Sequence, residues 1–227
     1  MLILAMDTAL EACAAALHDT TTDTTLAVER RAMARGHAEA LVPMIERLMR
    51  EAQTSFEAID AFAVTVGPGS FTGLRVGLSA ARGFGLATGR PVIGLSTLAT
   101  LAAAPLAEED AVPVVAALDA RHENLYLQMF GAGGRVLVGA RAMPVREAAR
   151  AVAIGPVRLV GSGAAILAEH WPPGEAPPVS IDTAATPDPV WLARLAASAD
   201  PARSPPRPLY LRGPDARPQD AARIARR

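Results

Sequence analysis

Lysine is absent from this sequence, so all 22 basic residues are arginine, and cysteine occurs once, at Cys13. A single cysteine excludes an internal disulfide and a zinc site built on several cysteines, and it is typical of a reducing compartment. The formal net charge is −1. The chain as a whole therefore has no field that would attract nucleic acid, and any RNA contact must be local or come from a partner.

Long apolar runs are also absent. None approaches the roughly 20 residues that span a bilayer, and the apolar N-terminus lacks a basic region and is interrupted by Asp7 and Glu11. Hydrophobic residues still make up 51% of the 227 residues and charged residues only 20%. We therefore expect a globular protein in the cytoplasm that makes no contact with a membrane.

The second half of the chain repeats the order of the predicted elements of the first half, up to the second helix. The first half shows three strands, a helix, a strand, a helix and a strand, at 2–6, 13–18, 25–31, 37–53, 61–66, 70–88 and 92–95. The second half shows three strands, a helix, a strand and a helix, at 112–118, 125–130, 136–143, 146–152, 157–160 and 164–170. Such a repeat indicates duplication of one folding unit.

Two lobes built in this order match the duplicated ribonuclease-H-like core of the actin, Hsp70 and sugar-kinase superfamily. We therefore predict a two-lobed α/β fold. The predicted bounds are 1–104 for the N-terminal lobe and 105–200 for a smaller C-terminal lobe with one more helix at 190–199. Residues 201–227 are predicted to be a solvated tail, in which seven arginines and two aspartates leave five surplus positive charges.

The glycine-rich turn at 67–73, GPGSFTG, first suggests a phosphate loop, because a tight turn before a helix N-terminus can receive an anion. The P-loop pattern ends in Gly-Lys-Ser/Thr and the dinucleotide fingerprint requires Gly-x-Gly-x-x-Gly, and neither is present. Instead, a ridge of small residues recurs every four positions in the following helix, at Gly73, Gly77, Ala81 and Gly85. The ridge favours close packing, either within this fold or against another subunit.

The run VTVGPGSFTGLRVG at 64–77, followed by GRPVIGLSTLATLA at 89–102, resembles the bacterial TsaB (YeaZ) family. Four shorter matches extend the resemblance over nearly the full chain: ILAMDTA at 3–9, HAEALVPMI at 37–45, Asp119-Ala120-Arg121 followed by Tyr126, and PLYLR at 208–212.

This resemblance implies an accessory subunit without catalysis of its own. It would pair with the paralogue TsaD and with the ATPase TsaE to support threonylcarbamoyl transfer to the adenosine next to the anticodon. ATP and metal would then belong to TsaD and TsaE, and tRNA would be reached only through the complex.

The helices at 37–53 and 72–88 would pack against TsaD or against a second copy of the chain. The partner contacts implied are His37, Leu41, Met44, Ile45, Leu48, Gly73, Gly77, Ala81, Phe84 and Gly85. On this interpretation, Gly77→Arg or Ala81→Arg leaves the monomer folded and abolishes pairing.

Residues that supply chemistry in related proteins are missing. TsaD-like proteins carry a His-x-x-x-His metal pair where this chain has Thr97 and Leu101, so we expect no metal. Nucleotide-binding members of the superfamily place Asp-x-Gly-Thr/Ser after the first strand, and here Ala9 stands in place of the glycine. Asp7, Thr8 and Gly163 are the best candidates for a vestigial nucleotide site. The alternative function is a stand-alone kinase or hydrolase with a nucleotide site between the lobes.

Overall fold

The computed structural model describes residues 1–108, 110–183 and 186–213. The part of the predicted tail from residue 214 onward lies outside the described residues. Within them, no helix is both long and apolar enough to span a bilayer.

The first sheet has five strands in the order β3-β2-β1-β4-β5. The strands are β1 (Leu2–Asp7), β2 (Ala12–Asp19), β3 (Thr24–Ala32), β4 (Ala61–Gly67) and β5 (Val92–Ser96). The first three form an antiparallel meander, and β4 and β5 run parallel to β1. Helix α1 (His37–Glu51) connects β3 to β4, and helix α2 (Phe71–Thr88) connects β4 to β5. Ser70 caps α2 by accepting a hydrogen bond from the Gly73 amide.

The second sheet repeats this arrangement. Its order is β10-β9-β6-β7-β8, which has the same connectivity as the first sheet when it is followed from the other edge. The elements are β6 (Val114–Asp119), β7 (Asn124–Phe130), β8 (Val136–Pro144), α4 (Val145–Val152), β9 (Arg158–Val160), α5 (Ala164–Glu169) and β10 (Ser180–Asp182). The predicted two-lobed, duplicated ribonuclease-H-like fold is confirmed.

Two further helices pack against the two sheets and contribute to their hydrophobic cores. Helix α3 (Thr97–Leu106), which was not predicted, packs Leu98 and Ala102 in a cluster with Val114 of β6. Helix α6 (Pro189–Ala197) returns to the first sheet and buries Leu192 and Ala196 in its core. Most of α3 precedes the predicted boundary at residue 104 but packs on the second sheet, and α6 follows this boundary but packs on the first sheet. The predicted domain bounds stay a prediction.

The small-residue ridge of α2 packs inside the chain. A Cβ atom at Gly73 would lie 2.0 Å from the Thr8 carbonyl oxygen, and one at Gly85 would lie 2.4 Å from Cγ2 of Val92. At Gly77 the nearest atom would be the Thr8 hydroxyl oxygen, at 2.6 Å, and Ala81 is fully buried. The prediction that Gly77→Arg or Ala81→Arg leaves the monomer folded is therefore wrong, because the added side chain has no space.

Candidate docking face and the end of the first strand

The partner contacts predicted on α1 are used for the chain's own core. All five of the predicted contacts on this helix are buried: His37, Leu41, Met44, Ile45 and Leu48. The His37 ring also contacts the Leu10 carbonyl oxygen, with Nε2 at 3.1 Å. On α2, Phe84 is half-buried and stacks on Phe56 and Phe62, with ring centroids 5.1 and 5.7 Å apart. The structure thus gives these side chains a packing role. Their role in partner binding stays a prediction.

The outer surfaces of the same two helices leave an open groove of about 680 Å³. The lining residues are Ala38, Leu41, Val42, Phe71, Thr72, Arg75, Val76, Ser79 and Ala80. The Val42 side chain is 53% exposed and that of Phe71 55% exposed, and Arg75 is the only ionisable residue among the described residues that line the groove. Contiguous apolar surface of this kind is typical of a protein interaction site. The predicted contacts lie mainly on the inner faces of these helices, and Leu41 is the one residue that is both a predicted contact and part of the described groove lining.

Hydrogen bonds join the residues after β1 to the start of α2, at the glycine-rich turn whose sequence suggests a phosphate loop. The Thr8 hydroxyl donates to the Gly73 carbonyl oxygen at 2.7 Å and accepts from the Gly77 amide at 3.0 Å. The Ser70 amide donates to the Ala9 carbonyl oxygen at 2.7 Å, and a Cβ at Gly69 would lie 2.4 Å from that oxygen. The backbone at the start of α2, which could otherwise bind a phosphate, is therefore packed against the turn after β1.

Asp7, the last residue of β1, is fully buried. Its Oδ1 atom accepts hydrogen bonds from the Thr65 hydroxyl and from the Ala9 amide, the latter at 3.2 Å. Its Oδ2 atom has no hydrogen-bond partner among the described residues. Burial raises the pKa of Asp7 to about 6, against the lowering effect of these two hydrogen bonds.

This carboxyl is expected to make stability depend on pH. Because the pKa of Asp7 rises from 3.8 to about 6 on folding, the folded state holds the extra proton between these values. The free energy of unfolding should then fall by about 3 kcal/mol in total as the pH rises from about 3 to about 7, most steeply between the two pKa values, and the loss persists above that. Asp7→Asn keeps an oxygen for Thr65 and Ala9 and cannot ionise, so it should lack this loss.

Urea unfolding of the two proteins at several pH values measures the effect. The difference between the variant and the original protein cancels other titrating groups, such as Asp110, whose pKa is lowered to about 2 mainly by its hydrogen bond with Arg158. A difference that stays constant across this pH range would show that Asp7 does not titrate as described.

The other candidate residues lie in the second lobe. The Gly163 amide donates to the Ala117 carbonyl oxygen at 3.0 Å, and a Cβ there would lie 2.8 Å from Cδ2 of Leu125. Gly163 therefore packs on β6 and β7, whereas Asp7 and Thr8 contact β4 and α2. The contribution of all three to nucleotide binding stays a prediction.

The positions that correspond to the metal pair are on α3. Thr97 is fully buried and Leu101 packs in the core of the second lobe. The described residues contain no group of three or more histidine, cysteine, aspartate or glutamate side chains placed to hold a metal ion. The expected absence of a metal stays a prediction.

Comparison with known proteins connects this fold with one family. The family model described as TsaD, tRNA N6-adenosine threonylcarbamoyltransferase, matches residues 27–163. The tRNA threonylcarbamoyladenosine biosynthesis protein TsaB of Escherichia coli K12 is 40% identical over 126 residues, which cover 56% of this chain and 53% of that protein. The chain thus spans about half the length of this relative.

Two other relatives match nearly end to end. An uncharacterized protein of Mycobacterium tuberculosis H37Rv is 33% identical over 219 residues, which cover 95% of this chain and 94% of that protein. The crystal structure of YeaZ from Pseudomonas aeruginosa has a TM-score of 0.78 at 30% identity, and the match covers 92% of this chain and 99% of that one. The chain therefore belongs to the TsaB (YeaZ) family, within the larger sequence family that the TsaD model describes.

Proposed function

We propose that this chain is a non-catalytic subunit in the biosynthesis of threonylcarbamoyladenosine in tRNA, and that it pairs with a TsaD-like paralogue through the groove between α1 and α2. The groove is the observation that carries the pairing. It leaves apolar side chains of two well-packed helices open to solvent. The tRNA pathway is supported by the names of the E. coli and Haemophilus influenzae relatives, both called TsaB.

The choice of a TsaD-like partner follows from homology. The range that matches the TsaD model, 27–163, includes both α1 and α2. TsaD should therefore have a corresponding helix pair, and two related faces can meet about a pseudo-two-fold axis. In the part of the chain that the structure describes, the groove lining contains one ionisable residue, so contact there would bury mainly apolar surface.

The chemistry would come from the partners. The backbone around Thr8 and Ala9 is packed against the start of α2, which favours a subunit that binds no ATP or metal of its own. ATP and metal would then reside on the TsaD-like protein and on a TsaE-like ATPase. Contact with tRNA would be made only in the complex, and the complex would act in the cytoplasm.

Purified chain mixed with the TsaD-like protein of the same genome tests the pairing by size-exclusion chromatography with light scattering. We expect a heterodimer of one copy of each. Calorimetry on the chain alone should show no tight binding of MgATP. A chain that only self-associates would indicate a homodimeric scaffold, and stoichiometric MgATP binding with turnover would indicate a kinase or hydrolase. Either result contradicts the proposal.

A further inference from the structure

The sequence suggested a solvated tail for residues 204–212, which we call the strap. In the structure most of the strap is bound to the first lobe, and Leu211 and Arg212 at its end contact the second lobe. The Gly94 amide donates to the Ser204 carbonyl oxygen at 2.9 Å, and the Leu209 amide donates to the Val66 carbonyl oxygen at 2.7 Å. The Arg82 guanidinium on α2 donates to the Pro206 carbonyl oxygen. The strap therefore has fixed backbone contacts with β4, β5 and α2.

Two glycines provide the space for these contacts. A Cβ at Gly67 would lie 2.7 Å from the Leu209 carbonyl oxygen, and one at Gly94 would lie 2.7 Å from the Pro205 carbonyl oxygen. Gly67 also has a φ of +118°, which L side chains rarely adopt. The sheet thus accommodates the strap backbone at sites where any side chain would collide with it.

The strap places an aromatic ring beside the groove. The Tyr210 ring stacks on that of Phe71, with centroids 5.8 Å apart, and the Arg75 guanidinium lies 3.7 Å from the Phe71 centroid. Phe71 and Tyr210 remain 55% and 49% exposed. Among the described residues, no carboxylate pairs with Arg75. Since Phe71 and Arg75 also line the groove, the stack continues the groove onto the strap.

We propose that Tyr210, Phe71 and Arg75 form an anchor for the TsaD-like partner, so that the docking face extends from the groove to Tyr210, the strap residue that stacks on Phe71. This inference rests on the proposed function. Tyrosine and arginine often contribute most of the binding energy at interfaces. The stack orients the planar Arg75 guanidinium for a bidentate contact with a carboxylate of the partner, while the exposed part of Tyr210 receives an apolar side chain.

Affinity for the TsaD-like protein, measured by calorimetry with the full chain, tests the anchor. Tyr210→Ala should weaken binding by about 30-fold, whereas Tyr210→Phe, which keeps the ring, should bind like the original protein. Arg207→Ala, at an exposed strap residue outside the stack, is the matched control and should change little. Arg75→Gln should weaken binding and reduce its dependence on salt concentration, an effect that loss of packing alone would not produce.

The possible failures can be told apart. If the original chain does not bind the TsaD-like protein, the proposed function fails. If it binds and both Tyr210→Ala and Arg75→Gln bind equally well, only the anchor is refuted. If these variants pair normally but the complex loses affinity for tRNA, the stack is an RNA contact and the anchor is also refuted. Thermal unfolding of each variant checks that the fold is retained.

Discussion

Val42→Asp is expected to abolish pairing with a TsaD-like protein and to leave the chain folded. Val42 lies on α1, lines the groove and is 53% exposed, so the substitution costs the monomer little. In a complex, the new carboxylate would be buried against mainly apolar surface, which is costly. We expect the affinity to fall by at least about 100-fold, measured by calorimetry or by light scattering of the mixture.

Leu86→Asp is the matched control for this substitution. Leu86 lies on α2, is 88% exposed and does not line the groove. The substitution Leu86→Asp therefore introduces the same charge in place of an exposed apolar side chain, but outside the groove. Normal pairing of Val42→Asp, or an equal loss in both variants, would contradict docking through the groove.

Gly77→Arg is expected to prevent folding. A side chain at this position meets the Thr8 hydroxyl at 2.6 Å and Cγ2 of Val64 at 3.4 Å. It would break the two hydrogen bonds by which Thr8 ties β1 to α2, and it would place a charge in the core. The expected loss is about 4 kcal/mol or more, a large part of the stability of an ordinary domain. Circular dichroism during heating measures it.

Gly83→Arg distinguishes collapse of the packing from a general effect of arginine on the helix. Gly83 is on the same helix, is exposed, and would have no atom within 4 Å of an added Cβ. Replacing this glycine should leave stability unchanged or raise it by up to about 1 kcal/mol, because glycine is a poor helix former. A folded Gly77→Arg variant with normal stability would refute the packing described for α2.

The fold was predictable where hydrophobic periodicity is strong. Nearly every strand and the amphipathic α1 were located within a few residues. Helix α3 was missed because most of its side chains are buried, so its sequence has no polar face to reveal the helical period. The short strand β10 was missed as well, and it consists of only three exposed residues.

The candidate site was predictable only in part. The four-residue spacing identified the small ridge of α2, but spacing alone could not say which surface the ridge contacts. That surface includes Thr8, which is 69 residues away in sequence from Gly77. Similarly, the sequence does not mark Val42 and Phe71 as parts of a binding surface, because single exposed apolar residues are common. Their significance depends on the groove that they form together and on the strap, whose contacts are far apart along the chain.

The most direct test of the account is tRNA modification in a reconstituted system. The assay combines a TsaD-like protein, a TsaE-like ATPase, ATP, threonylcarbamoyl-adenylate and unmodified tRNA, and threonylcarbamoyladenosine is quantified by mass spectrometry. We expect modification with this chain or with Leu86→Asp, and little modification with Val42→Asp or without the chain. Full modification with Val42→Asp, or without any chain of this family, would contradict a function carried out by docking.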